Sequence, residues 1–296
     1  MDDLKAHTST WVTPVSSSYM GKVLHEIPPP GQGIAGLIAL KSLEVMEEID
    51  GGFKDDEDMY HAAIEATRFG FEDARSHLCD GGGCNTAWML DDVRIRDRVV
   101  REYRRDKAKG WGSPDPTNCT VSFQAVDGLG NSVSFVNSNY MGFGTGLVPQ
   151  GCGFTLQNRG AGFTLVPGHP NSWDSNKRPY HTIIPAIVTE EGTGEFYATI
   201  SNMGGFMQPQ GHLQLMLSLC KGYGNVQDVV DRPRFCIGSG TSDGAVEFEE
   251  GFDEEVRPRE GEKDGRSGWS EATSVYRLSL LKQRFFSSSL RSSYSA

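Results

Sequence analysis

Apolar residues follow two rhythms along this chain, and the rhythm changes near residue 118. Upstream the spacing is helical, with apolar positions recurring every three or four residues. The stretch IAGLIALKSLEVMEEI (34–49) predicts a helix with one packed face. HEIPPPGQG (25–33) leads into it, and its prolines predict a stiff, polyproline-like approach to the helix start. MYHAAIEATRFGFEDARSHL (59–78) predicts a second amphipathic helix, with Ile64, Phe69 and Phe71 among its apolar positions. DDVRIRDRVVREYRRDKAKG (91–110) predicts a third, charged and half exposed, and CDGGGC between them predicts a flexible loop.

From residue 118 the period becomes two. In NCTVSFQAVDGLGNSVSFVNS, Thr120, Ser122 and Gln124 share one strand face, and Val121, Phe123 and Ala125 share the other. DGLGN is turn chemistry that supplies positive-φ residues, so the segment predicts a hairpin. HTIIPAIVTEEGTGEFYATIS (181–201) predicts a second hairpin turning at EEGTGE. NMGG follows, then a helix over QGHLQLMLSLCKGYG (210–224) and a short one over NVQDVVDRP (225–233). Helices, then strands, then helices predict layered α+β packing and not βαβ winding. From Asp253 the sequence turns highly charged and then serine-rich, which predicts a disordered tail over 253–296.

Composition narrows the class without naming a substrate. The 296 residues suffice for about two average domains or one large one. With 37% hydrophobic and 10% aromatic residues, the body is expected to be globular. A formal charge of −11 argues against nucleic acid or an anionic membrane surface as partner. No apolar run reaches the length of a membrane span, and MDDLKAHTSTWV lacks the basic and apolar regions of a signal peptide. The expected compartment is therefore the cytoplasm. The six cysteines, Cys79, Cys84, Cys119, Cys152, Cys220 and Cys236, are scattered and form no C-x-x-C, so free thiols are expected and a metal site is not.

The sequence contains no G-x-S-x-G elbow, no H-E-x-x-H, no Walker sequence and no dinucleotide-binding fingerprint. GFGTG (142–146) is a lone glycine cluster, which by itself reads as a tight turn. Thr120 remains. A threonine hydroxyl is a poor nucleophile at neutral pH and needs a base. Cutting the backbone just before it frees an α-amine with a pKa of roughly 7.7–8.0, which can take the hydroxyl proton. Such a nucleophile must begin a strand, so that the chain upstream can move away. Thr120 meets that demand, yet it also fits as an ordinary β-branched strand residue, and spacing does not separate the two.

The stretch TVSFQAVDGLGNSVSFVNSNYMGFGTG (120–146) resembles the γ-glutamyltranspeptidase (γ-glutamyltransferase) family of N-terminal-nucleophile hydrolases. That family carries a nucleophilic Thr, then V-D-x-x-G-N-x-V-S, then F-G-S/T-G. Ordered matches follow at LQNRGAGF (156–163), NKRPYHTIIPAIV (176–188), MGGFMQPQGHLQ (203–214) and DRPRF (231–235). Upstream, HEIPPPGQGIAGLIALKSLE and IEATRFGFEDARSHLCD resemble the end of the family's large subunit. The resemblance implies an αββα sandwich and self-cleavage between Cys119 and Thr120 into a large and a small subunit. On that basis residues 1–119 correspond to the end of the large subunit and 120–252 to the small one. It also implies γ-glutamyl acyl transfer or hydrolysis: a small-molecule γ-glutamyl donor such as glutathione, an amino acid or water as acceptor, and no cofactor. Thr120 becomes the nucleophile. Gly204 and Gly205 match paired glycines whose backbone N–H groups form the oxyanion hole, and Ser138 matches a hydroxyl that hydrogen-bonds the nucleophile.

The departures from the pattern concern the substrate. An acidic residue that grips the donor's α-amine is replaced by Gly162. A pair of serines that holds the α-carboxylate is replaced by His181 and Thr182. Val121 follows Thr120 where Thr is usual, and Cys119 precedes it where Asp is usual. Tyr140 occupies a place that varies between branches. These changes resemble the acylase-like branch. They keep open a related amidohydrolase acting on another acyl group. Arg159 is read either as a cation for a substrate carboxylate or as part of a structural salt bridge. His181 is read either as a pocket residue or as a core histidine. Cys119 would itself be the nucleophile were the cut one residue earlier.

Family members are much longer, and Met1 enters partway into the large subunit. The fold is therefore expected to be incomplete at both ends, with apolar surface left exposed, as in a truncated gene or gene product. An inert fragment is the alternative of a different kind.

Overall fold

The computed structural model describes residues 5–105, 119–238 and 246–253. Strand β1 (Val15–Tyr19) turns at Met20 and Gly21, both at positive φ, into β2 (Lys22–Glu26). Helix α1 (Gly33–Ile49) follows, then α2 (Asp56–His77), a 3-10 turn (Gly81–Gly83), the single turn α3 (Thr86–Met89) and α4 (Asp92–Glu102). The hairpin β3 (Cys119–Val126) and β4 (Ser132–Tyr140) comes next. After a long irregular stretch come β5 (Ala186–Glu190), β6 (Phe196–Ile200), α5 (Met207–Lys221), α6 (Val226–Asp231), β7 (Phe235–Ile237) and β8 (Val246–Phe248). The fold is α+β, as the periodicity predicts. No helix among the described residues is long and apolar enough to cross a membrane.

The main sheet is antiparallel in the order β1-β2-β5-β6. Its pairing puts Ser17, Leu24, Val188 and Ala198 in one row and Glu26, Ala186 and Ile200 in the next. This face joins the core formed with α1, α2 and α5. Alternation explains the choice of face, since Val23, His25 and Ile187 point the other way and are only half buried. Helix α1 is buried from Gly33 through Leu40, and further along Leu43 and Met46 stay covered. Such a helix, apolar nearly all round in its first half, belongs inside a layer. Each of its buried Leu and Ile side chains contributes roughly 1.5–3 kcal/mol of hydrophobic stabilisation. Helix α2 begins at a true cap, Asp55 accepting from the Asp58 N–H, with three acidic residues in its first turn.

The pattern misses the β1–β2 hairpin. VSSSY carries no apolar alternation, and 25–33 reads as a polyproline-like approach although His25 and Glu26 are sheet residues. The unused signal is the two-residue turn at Met20–Gly21, a tight hairpin connection. Helix α4 is amphipathic as expected. Arg94 makes a bidentate pair with Asp73 at 2.8 Å, and Arg98 reaches Asp73 at 2.6 Å and Glu72 at 2.8 Å. The predicted helix end at 106–110, the chain just before Cys119 and the predicted disordered tail beyond Asp253 lie outside the described residues.

The β3–β4 hairpin inverts the usual polarity. Thr120 and Ser122 are buried, whereas Val121 is 65% and Phe123 53% exposed. Phe123 stacks on Phe135 across the pair with ring centroids 4.7 Å apart, and Val133 lies on the same exposed face. The buried face is tied to the end of β6: Gln124 donates to Ser201 Oγ, and Ser134 Oγ donates to the Ile200 carbonyl at 3.2 Å. This exposed apolar face matches the expectation of an uncovered surface.

A buried Glu26 faces His212 of α5, Oε1 to Nδ1 at 2.5 Å, inside the core. Burial pushes the Glu26 carboxyl up, and the imidazole beside it pulls it back. Helices α1 and α2 cross so closely that a Cβ on Gly70 would stand 2.2 Å from the Ala35 carbonyl oxygen. Gly70→Ala therefore forces the two helices apart. The expected cost is about 1–3 kcal/mol of stability, seen as a lower denaturant midpoint; an unchanged midpoint contradicts the crossing.

Candidate active site

Thr120 sits in the first turn of pleat after the described chain resumes at Cys119. The register of β3 on β4 shifts there: Cys119 pairs with Tyr140 and Val121 with Asn137, so Thr120 stands alone opposite a β-bulge formed by Ser138 and Asn139 on β4. Bulges re-aim a side chain and gather at sheet ends and active sites. Thr120 is 8% exposed, and its Oγ1 has no hydrogen-bond partner among the described residues. A buried hydroxyl left unsatisfied costs about 1–3 kcal/mol, a cost that a reacting group can recover from substrate. Ser138 Oγ accepts from the Tyr140 N–H at 2.9 Å, and so braces the bulge from within its own strand. Tyr140 itself holds φ +77°, a left-handed conformation unusual for a bulky residue.

Between Tyr140 and Ala186 the chain is mostly turns, pinned by side-chain amides. The Asn158 N–H donates to the Asn139 carbonyl, and Asn158 Oδ1 accepts from the Met141 N–H. Asn171 donates to the Gly162 carbonyl at 2.7 Å and accepts from the Tyr180 N–H at 2.9 Å. Arg178 pairs with Asp80, and His169 contacts the Arg75 carbonyl, which docks the stretch against the end of α2. Long irregular segments held this way are usually functional.

Arg159 is carried inward on a short 3-10 turn (Arg159–Gly162) and is 3% exposed. It donates to Thr182 Oγ1 at 2.8 Å and to the Ser138 carbonyl at 3.4 Å, and lies 5.2 Å from the centre of the Tyr140 ring. All of these are neutral. Among the described residues no carboxylate forms a salt bridge with it, which goes against the salt-bridge reading. Burial pulls its pKa down to about 10, partly opposed by Tyr140. The neighbouring His181 falls to about 4, first by burial and then by the charge of Arg159, with a hydrogen bond to the Ile183 backbone opposing. Its imidazole is thus neutral at physiological pH. Gly162 has no room for a side chain, since a Cβ would meet the Tyr180 carbonyl oxygen at 2.8 Å.

Gly204 (φ +106°) and Gly205 (φ +57°) form the turn into α5, whose first N–H groups return to their carbonyls: Met207 to Gly204 at 2.9 Å and Gln208 to Gly205 at 3.1 Å. These dihedrals suit glycine and leave backbone N–H groups uncovered by side chains. The structure thus links Ser138, Tyr140, Arg159, Thr182 and Gly205 through hydrogen bonds, ring contact and shared partners. Thr120 joins them through the strand pairing at Tyr140. Sequence reasoning missed Gln32, Tyr180 and Asn171. Gln32 stands between two glycines at the start of α1, where only its unsuitability as a cap hints at another use.

Residues 1–270 match the family profile described as Gamma-glutamyltranspeptidase. The chain belongs to this family. It is 31% identical over 248 residues to the glutathione hydrolase-like YwrD proenzyme of Bacillus subtilis, covering 80% of this chain and 45% of that protein. It is 29% identical over 247 residues to the oxamate amidohydrolase proenzyme of Klebsiella pneumoniae, with 80% and 44% covered. Among solved structures, the cephalosporin acylase from Bacillus halodurans superposes with a TM-score of 0.74 at 36% identity, over 86% of this chain and 46% of that one. The chain therefore spans slightly less than half the length of these relatives. Membership places it in the N-terminal-nucleophile hydrolase superfamily.

The neutral His181 has a measurable consequence. Its folded-state pKa lies below the unfolded value of about 6.5, so its contribution to stability is present above that pH and is lost as pH falls towards about 4. NMR titration is expected to show no His181 transition between pH 5 and 8. In Arg159→Met the midpoint rises but stays below the ordinary value, because burial is the larger cause; a midpoint that does not move removes Arg159 from its surroundings.

Proposed function

We propose that Thr120 is the N-terminal nucleophile of a γ-glutamyl acyltransferase or hydrolase. The supporting observation is its buried hydroxyl, unpartnered among the described residues and opposite a β-bulge at the head of a strand, in a member of this family. Scission of the Cys119–Thr120 peptide frees the threonine α-amine. That amine takes the proton from Oγ1 as the oxygen attacks the donor's γ-amide carbonyl. The oxyanion is received by the N–H groups of Gly204 and Gly205. The amine then gives its proton to the leaving nitrogen, and the acyl group remains as an ester on Thr120. Water or an amino acid attacks the ester, and the hydroxyl is restored. Ser138 steadies the bulge. Residues 1–119 and 120–252 belong to the large and small subunits of one precursor. In a complete αββα sandwich, a second helical layer covers the exposed face of Val121, Phe123 and Phe135.

A second reading concerns the donor. A buried guanidinium beside neutral partners favours an anionic group on the acyl side, and Gly162 offers nothing to an α-ammonium. The names of two relatives, an oxamate amidohydrolase and a cephalosporin acylase, sit easily with a donor that carries a carboxylate and no ammonium. Tyr140, His181 and Thr182 line the same acyl side in this reading.

Two measurements test these statements. Denaturing electrophoresis and mass spectrometry of the purified chain are expected to show pieces of 119 and 177 residues, and Thr120→Ala to leave one intact band with no turnover. Turnover that survives Thr120→Ala overturns the nucleophile, and a parent chain that never splits supports an inert fragment. On the second reading, glutaryl anilide outruns γ-glutamyl anilide and Arg159→Met raises KM for the carboxylate-bearing donor by about tenfold or more. Equal rates on both anilides, with KM indifferent to Arg159→Met, leave the γ-glutamyl reading in place.

A further inference from the structure

Gln32 occupies the residue before the first turn of α1, where a short polar side chain ordinarily accepts from backbone N–H groups. It makes no such bond. Its carboxamide turns away from the helix. Nε2 donates to the Thr182 carbonyl at 2.8 Å and to the Gly205 carbonyl at 2.7 Å. Oε1 accepts from the Tyr180 hydroxyl at 3.2 Å, and the backbone N–H donates to the His181 carbonyl at 2.9 Å. The residue is fully buried, and both amide protons are used.

The two carbonyls it holds belong to the two halves of the proposed site. Gly205 is one of the oxyanion residues, and Thr182 is the hydroxyl partner of Arg159. We infer that Gln32 is a positioning residue for acyl transfer, setting the oxyanion turn relative to the acyl-side pocket. This rests on the reading that the Gly204–Gly205 turn receives the oxyanion. Glycine has no side chain to anchor its own peptide planes, so the orientation of this turn must come from outside partners. Gln208 supplies one fixture from within α5, where its Oε1 accepts from the Ile184 N–H at 3.1 Å. Gln32 supplies the other, and ties the turn to α1. A displacement of about 1 Å near the reacting centre can cost on the order of a hundredfold in rate, and one oxyanion donor is worth about 10²–10³ in kcat.

The test uses Gln32→Leu and Gln32→Glu in the full chain, with an activated anilide as donor. Burst amplitude counts competent sites, so turnover is expressed per site. Gln32→Leu is expected to lower kcat per site about tenfold or more while KM changes much less, and to speed amide exchange over 203–208 and 181–184. Gln32→Glu keeps the length but sets a carboxylate against two carbonyl oxygens. Protonation returns one donor, so its turnover relative to the parent chain rises as pH is lowered, which a purely structural defect does not produce. Should Gln32→Leu fail to fold, this pH-dependent ratio decides. A Gln32→Leu protein with kcat per site within about twofold of the parent and unchanged exchange overturns the inference, as does a flat pH ratio for Gln32→Glu. A parent chain with no burst sinks the acyl-transfer reading instead, and the clamp is then judged by exchange alone, with unchanged protection overturning it.

Discussion

The site depends on how two stretches of irregular backbone are held against each other inside the core. His181–Ile184 and Gly204–Phe206 run between regular elements, and Thr182, Ile184 and Gly205 within them are buried. Buried N–H and C=O groups need partners, and here no neighbouring strand supplies them. Side-chain amides do so instead. Gln32 comes from the start of α1 and Gln208 from α5, and between them they bind three backbone groups of these stretches. A backbone bridge between Gly31 and His181 completes the tie. Because β5 begins just after Ile184 and β6 ends just before the glycine turn, the main sheet and the helices are locked to the site by the same few bonds.

Charge is handled differently at the site than elsewhere. In the rest of the fold, buried cations come with counter-ions: Arg68 with Glu65, and Arg94 and Arg98 with Asp73. That is the rule expected when desolvation of a lone ion costs several kcal/mol. Arg159 is equally buried but has only hydroxyl, carbonyl and ring neighbours among the described residues. Its charge pushes the adjacent His181 towards the neutral form and is not offset by it. The fold thus pairs its other buried cations and surrounds this one with neutral partners.

Much of this was legible in the residues, and the misses have physical causes. Helices α1, α2 and α5 announced themselves by period, because each buries a continuous apolar stripe. The β3–β4 and β5–β6 hairpins were legible from alternation and turn residues. The β1–β2 hairpin was not: Ser16, Ser17 and Ser18 give no contrast between faces, and only the Met20–Gly21 turn marked it. Thr120, Gly204 and Gly205 were reached through resemblance, since a threonine in a strand and a glycine pair in a turn are commonplace. Gln32 left only a faint hint, because its contacts exist only where three segments distant in sequence meet.

The inverted hairpin follows from the same logic as the nucleophile. A strand has a period of two, so placing Thr120, Ser122 and Gln124 on the inner face sends Val121 and Phe123 to the outer one. A slip of one residue would bury the apolar set and expel the hydroxyl. The strand cannot present hydroxyls inward and a polar face to water outside while also offering an apolar packing surface. It presents the first and keeps the apolar set outward, stacked across the pair at Phe123 and Phe135. Such a face is stable only under cover. In relatives more than twice as long as the aligned region there is chain enough to supply that cover. The exposed face and the buried hydroxyl are thus two consequences of one alternation.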